Sequence, residues 1–148
     1  MNALLALPDR IAASYRDLLL LAGRLCIGVL FIPDAYGKIM NFQRFADSLG
    51  PKGLPFPTVW AVLAIVAAGA GGLGVLLGYR TRLAALLLIA FVIMANLTSH
   101  PFWEFQEAAR RAQEASFWKN ISLIGGLIFL FVQGSGRLAA DRGRTAGG

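Results

Sequence analysis

Four stretches of this chain are apolar on every face that a helix can present. They fall at about Leu18–Tyr36, Thr58–Tyr79, Leu83–Thr98 and Phe117–Gln133, and no acidic or basic side chain interrupts Ala61–Tyr79 or Leu83–Leu97. A soluble domain needs amphipathic helices or alternating strands, and the strands of a membrane barrel must alternate apolar and polar side chains, which these runs do not do. Composition agrees: 57% of the 148 residues are hydrophobic and 15% are charged, and the mean hydropathy of +0.62 comes from the long uncharged blocks. The expected fold is all-α, an integral membrane four-helix bundle. A span takes roughly 20 residues, with about 17 as a lower limit, so the third and fourth blocks must borrow interfacial residues or sit in thinned bilayer.

Residues 1–17 read as an N-terminal cytoplasmic segment, 18–136 as the transmembrane domain and 137–148 as a basic tail. The opening stretch carries Asp9, Arg10 and Asp17 and is followed by no small-x-small cleavage site, so the first span is expected to remain as an anchor. A lipoprotein site at Cys26 is rejected because Leu25 precedes it where a small residue is usual. Four spans place both termini on one side. Arg80 and Arg82 lie in a tight turn on that side, where the positive-inside bias acts most strongly, and five of the eight acids fall on the other. Both termini are therefore expected in the cytoplasm. The net charge of +6 suits topology and anionic headgroups, with no nucleic-acid-binding module in view.

Two short interfacial helices are expected in the outer loops. In the first loop Ile39, Phe42, Phe45, Ala46 and Leu49 share one helical face, and a Pro/Gly-rich tail turns the chain back. In the second, Pro101 suits a first helical turn, Glu107 and Arg111 form an i,i+4 pair, and Trp103, Phe117 and Trp118 suit the headgroup level.

The second span carries small residues spaced by four, at Ala64, Ala68 and Gly72 and again at Ala70, Gly74 and Gly78. Such stripes let helix backbones approach closely in lipid, and they can serve the bundle or a second subunit. Within the first span stands Arg24, about 9 Å along the helix if it begins near Leu18. Gly28, one turn on, makes room for it, and the arginine is expected to face the bundle or a partner. Its candidate acceptors are helix-end carbonyls, the Ser135–Asp141 segment with Asp141 as the preferred acid, or a lipid phosphate; free snorkelling is the plain alternative.

Towards the outer ends of the spans lie Asp34, Lys38, Asn96, His100, Lys119 and Asn120, which can form one polar pocket at the interface. Each also has an ordinary reading: Asp34 and Lys38 close a helix end after Pro33, Lys119 snorkels, and His100 ends a helix before Pro101. One His, one Cys and no Cys-x-x-Cys argue against a structural zinc site, a dithiol oxidoreductase and bis-histidine haem, and no metal site is expected. Cys26, buried among leucines, reads as an inert apolar residue. Redox chemistry, if any, has to use a diffusible cofactor or a partner's.

The runs "GRLCIGVLFIPDAYGKI", "GGLGVLLGYRTRLAALLL", "SHPFW", "KNISLIGGLIFL" and "GSGRLAAD", in this order over about residues 22–141, resemble the signatures of the DoxX family of small four-helix bacterial membrane proteins, itself similar to MauE proteins. The resemblance matches Arg24, Gly28, Lys38, Gly78, Thr81, Arg82, His100, Lys119, Asn120 and Asp141 to positions typical of the family. Ala68 departs from it: the family pattern carries a glutamate there, the natural intramembrane partner for Arg24 or a proton acceptor for a quinol. The resemblance implies an inner-membrane accessory subunit of a respiratory or quinone-linked redox complex, without catalysis by this chain alone, working beside membrane lipids and other redox subunits. It also leaves open a quinone- or lipid-binding oxidoreductase subunit with its own pocket, with quinone as the non-covalent cofactor, or an assembly factor for a membrane enzyme.

Overall fold

The computed structural model describes residues 6–141, which form six α-helices. Helix α1, Leu7–Ser14, has Pro8 in its first turn, where a missing N–H costs nothing, and was not anticipated in the terminal segment. The four long helices are α2, Arg16–Met40; α4, Pro57–Leu77; α5, Thr81–Ser99; and α6, Glu107–Gln133, and each is long and apolar enough to cross a membrane. The shortest, α5, has 19 residues, about 28 Å at 1.5 Å per residue, close to the roughly 30 Å of a hydrocarbon core.

The loop between the first two spans holds α3, Phe42–Asp47, and a 3-10 turn at Gly50–Lys52, closed by Gly53 in the left-handed region at φ 77°. Most of the expected apolar face is present: Ala46 and Leu49 pack with Ala61, flanked by Phe42, Phe45, Leu54 and Trp60; Ile39 is not part of it, because it belongs to the last turn of α2 and is exposed. The second expected surface helix does not stand alone. Residues 107–116 are the first turns of α6, because this alanine- and charge-rich segment meets Phe117 with no glycine or proline to stop it. A 3-10 turn at Phe102–Glu104 fills that loop instead. No Glu107–Arg111 ion pair forms among the described residues. Arg142 and Arg144 of the basic tail lie outside the described residues.

The spans run in alternating directions, so α1 and the C-terminal segment share one face, here called the terminal face, and both loops just described lie on the distal face. The terminal face is tied together by Arg16, which donates to Gln133 Oε1 at 3.0 Å, and by the Arg137 N–H, which donates to Asp17 Oδ1 at 2.8 Å.

Lipid gives helices no hydrophobic reason to associate, so packing rests on shape and small residues. Helix α4 is the hub. On one side Gly72 lies against α2: a β-carbon there would come within 2.8 Å of Phe31 Cβ, and one on Gly28 within 3.0 Å of Leu76 Cβ. On its other side, a β-carbon on Gly71 would meet Leu88 at 2.7 Å and one on Gly74 would meet Ala84 at 2.8 Å, both on α5. Helix α6 packs mainly on α5, with Leu127 and Leu130 joining Ala85, Leu88 and Val92 in the core. Ala70, the remaining member of the second stripe, is exposed. So is Cys26, which lies on the outer surface of α2 and not among buried leucines.

Candidate functional site

The close α4–α5 contacts all lie near the turn that joins the two helices. Farther from it, the two helices leave space between them, and with α2, α3 and α6 they line a half-open cavity of about 670 Å³, whose walls include the outward-exposed Leu30, Leu63 and Leu87. Its bore is apolar, with Leu63, Ala67, Leu87, Phe91, Val92 and Leu123 among the walls. Its distal end carries the polar groups: Asp34, Lys38, Ser48, Lys52, Ser99, His100 and Asn120. Pro33 sits one residue before this end and deprives the Val29 carbonyl of its helical donor.

Asp34 and Lys38, one helical turn apart, form an ion pair. The Lys38 ammonium also lies 5.3 Å from the centroid of the Phe45 ring and 5.5 Å from that of Phe91, within cation–π range of both. Asp34 Oδ1 takes the lysine, whereas Oδ2 is buried and has no donor among the described residues. His100 Nδ1 lies 2.7 Å from Gln113 Oε1, a hydrogen bond that ties the end of α5 to the first turns of α6. Lys52 reaches across from the 3-10 turn to the end of α5, where its ammonium donates to Ser99 Oγ at 3.0 Å. Partial desolvation there pushes its pKa below the ordinary lysine value.

Of the six residues expected in an outer pocket, Asp34, Lys38, His100 and Asn120 line the cavity. Asn96 stands behind the wall, 2% exposed; it accepts from Asn120 Nδ2 at 3.0 Å and donates to the Phe117 carbonyl at 3.3 Å, linking α5 to α6. Lys119 does not join them: neighbouring positions on a helix point about 100° apart, so with Asn120 turned inward Lys119 is exposed. Lys52 and Ser99 escaped the sequence reading. The first lies in the Gly/Pro turn and the second beside His100, and only the fold of the loop brings them together. Edge-to-face contacts join Phe102, Trp103, Phe117 and Trp118, with centroids 5.2 to 6.1 Å apart, into an aromatic belt at the distal face.

Arg24 belongs to the opposite end. It is 1% exposed and faces the bundle, where NH2 donates to the Leu138 carbonyl. Its Nε and NH1 have no acceptor among the described residues. Gly78, at φ 72°, leaves the space the guanidinium occupies; a β-carbon there would overlap it and come within 2.6 Å of Ala139 Cβ. The preferred Arg24–Asp141 pair does not form. Asp141 instead accepts from the Arg80 N–H at the start of α5, while the N–H groups of Ala140 and Asp141 donate to the carbonyls of Leu77 and Gly78 at 3.0 and 3.4 Å. The C-terminal segment thus lies along the α4–α5 turn and is fastened from below by Arg24. Ala68, where the resemblance implies a glutamate, is fully buried in the core that also holds Phe31 and Ala35.

Fold and cavity together define a small four-span membrane protein with a half-open apolar cavity in one half and polar groups at its distal end. The chain belongs to the DoxX family, whose model matches residues 19–101, more than half of the sequence. It is 29% identical over 127 residues to the inner membrane protein YphA of Escherichia coli, covering 86% of this chain and 91% of that one. The inner membrane protein YqjF of the same organism is 29% identical over 129 residues, covering 85% and 92%. An uncharacterised membrane protein of Mycobacterium tuberculosis is 31% identical over 137 residues, covering 80% and 77%. No solved structure matches the chain.

Proposed function

We propose that this protein is an inner-membrane binder of a chain-bearing amphiphile, a lipid or a membrane quinone, which it holds in the distal cavity for use by neighbouring membrane proteins. One observation carries the reading: a half-open, mainly apolar cavity of about 670 Å³ whose distal end carries charged and hydroxyl groups. Pockets that take drug-sized molecules span roughly 300–1,000 Å³ and combine apolar walls with a few placed polar groups. The inner membrane is supported by the names of the two Escherichia coli relatives. With Arg80 and Arg82 in the cytoplasm, the mouth of the cavity faces the outer leaflet. The described residues hold no cluster of His, Cys, Asp and Glu fit for a metal ion. In a redox assembly a quinone held in the cavity would exchange electrons with partner subunits, which keeps the accessory-subunit reading compatible with this one.

The test is extraction of the protein purified in mild detergent, followed by mass analysis of what it releases. Wild type should release about one chain-bearing molecule per protein, and Ala67→Phe, which fills the bore, should release none while migrating as the same folded species. Equal yields from both would place the bound molecules on the outer surface and overturn the reading.

A further inference from the structure

We infer that the occupant of this cavity is a single-chain lipid with an anionic headgroup, a carboxylate or a phosphate, and that Lys52 with Ser99 receives the anion. The inference rests on the cavity reading above and adds to it the charge and length of the ligand. Around the distal end the charges of Asp34 and Lys38 cancel within their ion pair, and Lys38 is further occupied by the rings of Phe45 and Phe91. Lys52 has no acidic partner among the described residues, only the Ser99 hydroxyl. Lys52 is thus an exposed cation at the rim with no acid paired to it among the described residues, and because Ser99 Oγ accepts from it, the serine proton remains to be donated. An ammonium and a hydroxyl side by side suit an oxyanion, whereas the carbonyls of a neutral quinone leave the charge of Lys52 uncompensated.

The length of the bore agrees. From Ser99 down to Leu87 on α5 is about 18 Å, and from Lys38 to Leu30 on α2 about 12 Å, at 1.5 Å per residue. Half of a hydrocarbon core is about 15 Å, so the bore holds one acyl chain at the depth it has in its own leaflet. Asp34 Oδ2, buried without a donor, offers an acceptor to a headgroup hydroxyl. That separates two sources of the same chemistry: ionised palmitate has no hydroxyl to give, and palmitoyl lysophosphatidate has one.

The experiment measures binding of palmitate, palmitoyl lysophosphatidate and the neutral methyl palmitate, which has no hydroxyl, to the purified full chain in neutral detergent. Wild type should bind either anion at least tenfold tighter than the ester, a preference for lysophosphatidate marking a phospholipid source and one for palmitate a free fatty acid. Lys52→Gln should weaken the anions about tenfold, the scale of one charge-assisted hydrogen bond, and leave the ester unchanged. Asp34→Asn should tighten palmitate, since it releases the charge of Lys38. Ester binding equal to that of the anions, or Lys52→Gln weakening all three alike, overturns the anion assignment while sparing the cavity. Ala67→Phe closes the distinction: if it leaves all three probes bound as before, the cavity reading itself fails.

Discussion

A lone arginine in an apolar helix announces itself in the sequence, and Arg24 does face the bundle. Its acceptor could not be read there, because a backbone carbonyl has no sequence signature, and the acid that seemed the natural choice is engaged by the Arg80 N–H. What looked like a pair of side chains is a strap: Arg24 holds Leu138, and the next residues bond along the α4–α5 turn. Arg24→Lys keeps the charge but has neither the reach nor the planar fork, so it should lower the stability of the detergent-solubilised protein by about 1–3 kcal/mol, and Arg24→Leu by at least as much. Thermal unfolding followed by tryptophan fluorescence would show this as a clear loss of midpoint temperature; unchanged midpoints for both variants would make the side chain a bystander. Gly78→Ala should be more severe than an ordinary loop change. It strains a positive φ and collides with both Arg24 and Ala139, effects of about 1–3 kcal/mol each.

Among the elements, the existence of the four spans was plain from apolar runs that no soluble fold accommodates, and the amphipathic α3 was legible in the spacing of its apolar residues. The junction before the fourth span was not, since a surface helix and a membrane helix of high propensity fuse when nothing breaks them. The small-residue stripes of α4 pointed to close packing but not to its partners. The structure gives Gly72 to α2 and Gly71 and Gly74 to α5, and it puts Leu76 against Gly28. Gly74→Leu should therefore prevent the α4–α5 approach and abolish a monodisperse folded species in size-exclusion chromatography. Leu73→Ala, on the exposed face of the same helix, should change stability by no more than about 0.5 kcal/mol. Equal tolerance of the two would mean that the glycines do not set the spacing.

At the scale of the whole molecule, the cavity depends on how far α4 and α5 separate beyond their shared turn, a quantity that no local pattern encodes. The sequence did supply most of its polar rim, because Asp34, Lys38, His100 and Asn120 stand out at the ends of apolar runs. It could not supply Lys52, which reaches Ser99 only through the loop that folds over the mouth, and it could not exclude Lys119, whose direction depends on the rotation of α6. On this reading an acyl chain lies inside the bundle and not merely around it. Photolabelling the protein in membranes with a lipid carrying a diazirine in its chain, followed by peptide mapping, tests that directly. Adducts should form on Phe91, Val92 and Leu123, which line the cavity, and be lost in Ala67→Phe. Adducts confined to outward residues such as Val29, Leu73 and Phe129, in both proteins alike, would contradict it.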